Sequence, residues 1–172
     1  MTPSSPPPAP PGAWRRLAAA WASVLSALLA LSVAILVIPV SLQIFSRFTA
    51  LLPHYIWTEE MARFLLVWMV MLGSMLGVRE GTHFIVDVLP NATGRVGAAL
   101  NLFASLAVLV FALVFVWQGI EFTRFGWNRI SELAELPLWT IHVAWPVTGV
   151  TWLLFLGEHM AAQWRALTGS TA

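Results

Sequence analysis

The residues of this chain whose types and spacing could do chemistry gather in two short stretches. In the first, Trp57-Thr58-Glu59-Glu60-Met61-Ala62-Arg63-Phe64, two acids and an arginine stand just before a long apolar run. Acids in the first turn of a helix complement the positive end of its dipole, and Thr58 is placed to cap it. Glu59 and Arg63 are four apart, a spacing that predicts a surface ion pair worth about 0.3–1 kcal/mol. The alternative is contact with another chain, because this charge at a membrane edge exceeds what capping requires. The second stretch begins with Gly73-Ser74-Met75-Leu76-Gly77, in which two glycines four apart form a small-residue face for close approach of a second helix. Glycines packed within the chain's own bundle are the alternative, and Val70 is expected to face lipid. Beyond them, Arg79, Glu80, His83 and Asp87 fall on one helical face and Phe84, Ile85 and Val88 on another, until Pro90. That pattern predicts a short amphipathic helix lying in the membrane interface.

Other chemistry finds less support. His54, His83, His142 and His159 raise the possibility of a b-type cytochrome, in which histidines of facing helices hold a haem iron. Only His142 falls within an apolar run, so the spacing brings no pair together at one depth. The chain has no cysteine, which removes disulfides, thiolate zinc sites, iron–sulfur clusters and cysteine nucleophiles. It also lacks the H-E-x-x-H, G-x-S-x-G and G-x-x-x-x-G-K motifs. Asn101 and Ser105 on one helix, and Thr140, Thr148 and Thr151 on another, sit at helical spacing. Such groups join membrane helices by hydrogen bonds more often than they bind substrate. No apolar run carries an ionisable group at its centre, as an ion pathway built by this chain alone would require.

The elements that must position these residues are membrane helices. Of 172 residues, 59% are hydrophobic and only 10% charged, which excludes a water-soluble globule. All nine basic residues are arginine and the net charge is +1, so no basic patch for nucleic acid exists. A crossing of about 30 Å needs about 20 apolar residues, and four stretches qualify: 17–46, which contains Pro39, then 61–78, 96–120 and 136–157. The fold expected is an all-α integral membrane protein of four transmembrane helices plus the short interfacial helix, the transmembrane domain occupying residues 14–165. Residues 1–13, with six prolines, are expected to form a disordered tail, and 166–172 a short C-terminal tail. Tryptophans cluster near the expected helix ends, as interfacial residues do, and Trp68, Trp145 and Trp152 are the exceptions; all ten are expected to face lipid or pack. Arg15, Arg16, Arg79, Arg95 and Arg165 fall on one side and Arg47, Arg63, Arg124 and Arg129 on the other, which predicts that both termini are cytoplasmic.

Together the two polar stretches, W-T-E-E-M-A-R-F and G-S-M-L-G-V-R-E-G-T-H-F-I-V-D, resemble the small membrane subunit (the DctQ-like small permease) of tripartite ATP-independent periplasmic (TRAP) transporters. The resemblance is specific over about residues 55–90. It implies a bacterial inner-membrane uptake system in which a periplasmic binding protein delivers an organic acid. A large membrane subunit would hold the substrate and sodium sites, so no cofactor is expected in this chain. The small subunit would serve as scaffold for the large one, with Glu59, Glu60, Arg63, Gly73, Gly77, Arg79, His83 and Asp87 as candidates for the partner interface. A haem protein and a self-sufficient small oligomeric transporter are the competing classes.

Overall fold

A computed structural model describes residues 13–49, 53, 55–80 and 95–167, in which the chain forms four long apolar helices and one short one. The expected tails and the expected interfacial helix, with His83 and Asp87, lie outside the described residues. Helix α1 (Ala13–Phe48) takes Arg15 and Arg16 into its first turns and ends just past Arg47, a cation that suits the negative end of the dipole. Its 36 residues reach about 54 Å, well beyond the hydrocarbon thickness. Helix α2 (Trp57–Glu80) begins earlier than residue 61, and α3 (Arg95–Gly126) continues past residue 120 to a glycine.

The fourth crossing departs most from a single helix. Its expected first residues belong to an irregular loop, and the crossing itself is divided into α4 (Trp139–His142) and α5 (Ala144–Leu167). Pro146 supplies the reason. It has no N–H to donate to the carbonyl of His142, whereas Val143 and Val147 on either side keep the ladder through Trp139 and Val143.

Helices α1 and α2 form one antiparallel hairpin, α3 and α5 another, and α2 packs on α5 to join them. Ala18, Ala22 and Leu25 of α1, at helical spacing, meet Leu72, Met75 and Val78 of α2 and Phe155 of α5 in one buried cluster. The core therefore sits at the end of the bundle where α1 begins and α2 ends. Ala18 and Ala22 are the small residues that let α1 approach α2.

The second hairpin uses glycine reciprocally. A Cβ at Gly119 of α3 would lie 2.7 Å from the ring of Pro146, and one at Gly149 of α5 would lie 2.7 Å from the carbonyl oxygen of Ala112. Each helix thus gives up a side chain where the other's backbone or proline presses on it. Both contacts are ordinary in-membrane packing, which takes its energy from close approach rather than from a hydrophobic drive.

Three indoles stitch the helices together. Trp21 of α1 donates to the Thr151 hydroxyl of α5 at 3.3 Å, Trp152 of α5 to the Ser74 carbonyl of α2 at 3.3 Å, and Trp68 of α2 to the Thr140 carbonyl of α4 at 3.1 Å. The threonines divide their roles. Thr151 joins helices as its position suggests, while Thr140 and Thr148 donate to carbonyls of their own segment, Pro137 and Ala144.

Candidate functional site

The polar end of the bundle is built by the start of α2, the end of α3, residues 127–138 and α4. Glu60 is its organising residue. One oxygen of its carboxylate accepts the backbone N–H of Leu133 at 3.1 Å and of Ala134 at 2.6 Å, tying α2 to a loop more than seventy residues away in sequence. These are charge-assisted bonds, stronger than neutral ones. The loop is closed on itself as well. Ser131 donates its N–H to the Leu136 carbonyl at 2.8 Å, its hydroxyl accepts the Leu136 N–H at 3.1 Å, and Leu138 donates to Arg129 at 2.9 Å. Ile130 and Pro137 form an antiparallel bridge. To make this tight return Glu135 adopts a left-handed backbone with φ of 53°, a conformation that a non-glycine side chain holds only when its neighbours fix it.

Histidine 142 closes the junction with α3. Its ring stacks on Phe122 with centroids 3.7 Å apart, and Nδ1 donates to the Phe122 carbonyl in the last turns of α3 at 3.0 Å. Gly126 is required here, since a Cβ would run into the imidazole. Aromatic pairs, Tyr55 with Trp57 and Trp127 with Trp139, rim this end and mark it as the membrane–water boundary. Between α2 and the loop a cleft of about 490 Å³ opens, with Glu60, Arg63, Arg129, Ser131 and Glu132 among its walls.

The candidate residues separate into groups. Glu60 faces the chain's own loop, whereas Glu59 and Arg63 are exposed. The Glu59–Arg63 ion pair does not form, whereas Arg124 pairs with Glu121 at this end, at 3.0 Å. Thr58 does not cap either, because α2 starts one residue before it and its buried hydroxyl donates to Tyr55 at 2.6 Å. At the opposite end of α2, Arg79 lies with its guanidinium carbon 5.9 Å from the ring centre of Phe155, over the buried cluster. A Cβ at Gly73 would meet nothing within 4 Å, which removes Gly73 from the contacts inside the bundle. Sequence reasoning missed Ser131, Glu135, Gly119, Gly126 and Gly149, and weighed His142 only as a haem ligand. The Gly and Pro positions carried a signal in helical register, since Gly119 and Gly149 interrupt apolar runs where glycine has no other use.

A model of the family described as tripartite ATP-independent periplasmic transporters, DctQ component, matches residues 36–166. The chain belongs to this family. It is 32% identical over 100 residues to the C4-dicarboxylate TRAP transporter small permease protein DctQ of Rhodobacter capsulatus, which covers 55% of this chain and 43% of that protein. A protein of Haemophilus influenzae named as a TRAP transporter small permease is 27% identical over 95 residues, 54% of this chain and 58% of that one. The sialic acid TRAP transporter permease protein SiaT of Haemophilus influenzae is 32% identical over 96 residues, 55% of this chain and 16% of that protein. The chain thus spans less than two thirds of the length of each of these relatives. No solved structure matches. As a TRAP small permease the chain is a multi-pass membrane subunit of a transporter and not an enzyme.

Proposed function

We propose that this small permease is the scaffold of a sodium-coupled TRAP transporter that imports an organic acid delivered by a periplasmic binding protein. The observation that carries this reading is the use of polar groups inside the bundle. Trp21 with Thr151, Trp152 with Ser74 and Trp68 with Thr140 commit their donors to joining the chain's own helices. They form a brace rather than a binding site, so substrate and sodium sites fall to the large membrane subunit. A relative supports the partnership: in the sialic acid permease the matched stretch is only 16% of one chain, so a segment of this kind stands there beside a much larger permease region. The names of two relatives, a C4-dicarboxylate and a sialic acid transporter component, support a carboxylate as the transported class.

In this reading the chain lies in the inner membrane, and the slight arginine excess at one end of the helices supports both termini in the cytoplasm. Glu60 and its loop then face the periplasm. Purifying the tagged chain from its native membranes tests the partnership: a many-span permease should accompany it in fixed ratio. Recovery of the chain alone, under conditions that keep its bundle folded, would refute the scaffold role.

A further inference from the structure

We infer that the open stripe of α2 formed by Glu59, Arg63, Leu66, Val70 and Gly73 receives one membrane-spanning helix of the large permease subunit, with a carboxylate of that helix set against Arg63. This rests on the small-permease reading and specifies where the subunits meet. Helix α2 is the central member of the bundle, packed by α1 and by α5. Thr58, Leu65, Leu72, Met75 and Val78 are consequently buried. Glu59, Arg63, Leu66 and Val70 are exposed, Val70 by 57%, and the half-buried Gly73 continues the same register.

The register suits a helix as occupant. Steps of four and three residues alternate from Glu59 to Gly73, so these five residues form one straight face of α2 along which a second helix can lie. Membrane bundles favour the same geometry, at crossing angles near 20°. A stripe facing lipid needs no glycine, and glycine is a poor helix former. Gly157 near the end of α5 meets nothing within 4 Å, whereas Gly119 and Gly149 each face a neighbouring helix within 2.7 Å. At Gly73 the same device has no counterpart in the chain, for nothing lies within 4 Å of the added Cβ. Val70, expected to be a neutral lipid-facing position, lies on this stripe as well.

The polar end says what the arriving helix carries. Arg63 stands a turn deeper than Glu59 and does not pair with it, and Glu60 spends its carboxylate on the amides of Leu133 and Ala134. A guanidinium at the hydrocarbon edge is stabilised by an anionic partner. The relative in which this segment is 16% of one permease chain supports the large subunit, rather than a second copy, as the source of the helix.

Site-specific photo-crosslinking in the native complex tests the assignment. A photoreactive amino acid is introduced singly at Leu66, Val70 and Gly73, and for comparison at Val37 of α1 and Val110 of α3, which are also exposed. The three stripe positions are expected to capture the large subunit at least about fivefold more than Val37 or Val110, as a close helix contact implies. Capture of a second copy of this chain or of lipid alone at the stripe, with the large subunit captured from α1 or α3, would overturn the docking face and leave the small-permease reading standing. Absence of the large subunit from the unmodified complex would refute that reading and this assignment together. In parallel, Arg63→Glu is expected to lower recovery of the large subunit about 3- to 30-fold at equal membrane abundance, whereas Arg63→Lys retains it. Equal recovery with Arg63→Glu would overturn the carboxylate at Arg63.

Discussion

Alanine at Gly149 and alanine at Gly73 are predicted to move the stability of the isolated chain in opposite directions. At Gly149 the new methyl would sit 2.7 Å from the Ala112 carbonyl oxygen and 2.8 Å from the Val116 nitrogen, against ordinary contact distances of 3.4–4 Å. Both obstacles are backbone atoms of α3, so the overlap is relieved only by moving the two helices apart. Overpacking of this kind costs about 1–3 kcal/mol. The better helix propensity of alanine returns about 1 kcal/mol, leaving a net loss of up to about 2 kcal/mol. At Gly73 the methyl meets nothing within 4 Å, so only the gain remains, about 1 kcal/mol. The two variants therefore differ by about 1–3 kcal/mol, roughly 5- to 150-fold in the folding equilibrium. Reversible unfolding in mixed detergent micelles, followed by tryptophan fluorescence, reads this difference directly. A loss of stability with Gly73→Ala as large as with Gly149→Ala would refute the assignment of Gly73 to an outward face.

Three further outcomes are expected. Glu60→Ala removes the acceptor of two loop amides, so hydrogen exchange at Leu133 and Ala134 should accelerate on the order of tenfold, the half-exposed setting keeping the effect at the low end for charged bonds. Unchanged exchange would remove Glu60 from its role as loop anchor. A double-mutant cycle of Trp21→Phe and Thr151→Val should give a coupling of about 0.6 kcal/mol, and zero coupling would mean that the bond contributes nothing to the brace. The chain has no native cysteine, so a single cysteine replacing the exposed Glu132 reports the side of the loop. Labelling by an impermeant maleimide in spheroplasts is expected, and labelling only after the inner membrane is opened would invert the topology.

The four crossings were legible because they are long apolar runs with no charge at their centre, and a hydrocarbon thickness translates directly into residue number. The ends were less so. Arg15 and Arg16 read as flanks but lie inside α1, since a helix extends into the interface wherever its backbone bonds continue. The divided fourth crossing was hidden because Pro146 acts at a distance of one turn, on the carbonyl of His142, while the irregularity itself falls at Val143. Among the candidate residues, spacing singled out the first turn of α2 but misassigned its partners. Glu59 and Arg63 suggested an ion pair on local register, whereas the residue that bonds is Glu60, to backbone amides far along the chain that no local pattern reveals. Gly73 was read as a helix-contact residue, yet nothing in the chain lies within 4 Å of its added Cβ, while the reciprocal contacts of Gly119 and Gly149 become visible only once α3 and α5 are brought together.

The most direct measurement of the scaffold role is uptake into proteoliposomes assembled from defined components. With the large permease subunit, this chain and the substrate-loaded binding protein present, and with an inward sodium gradient, accumulation of the organic acid is predicted. Omission of this chain alone should abolish it, and this chain alone should transport nothing, because the indoles of Trp21, Trp68 and Trp152 join its own helices and none of its apolar runs carries an ionisable group at its centre. Full uptake by the large subunit and binding protein without this chain would contradict the account.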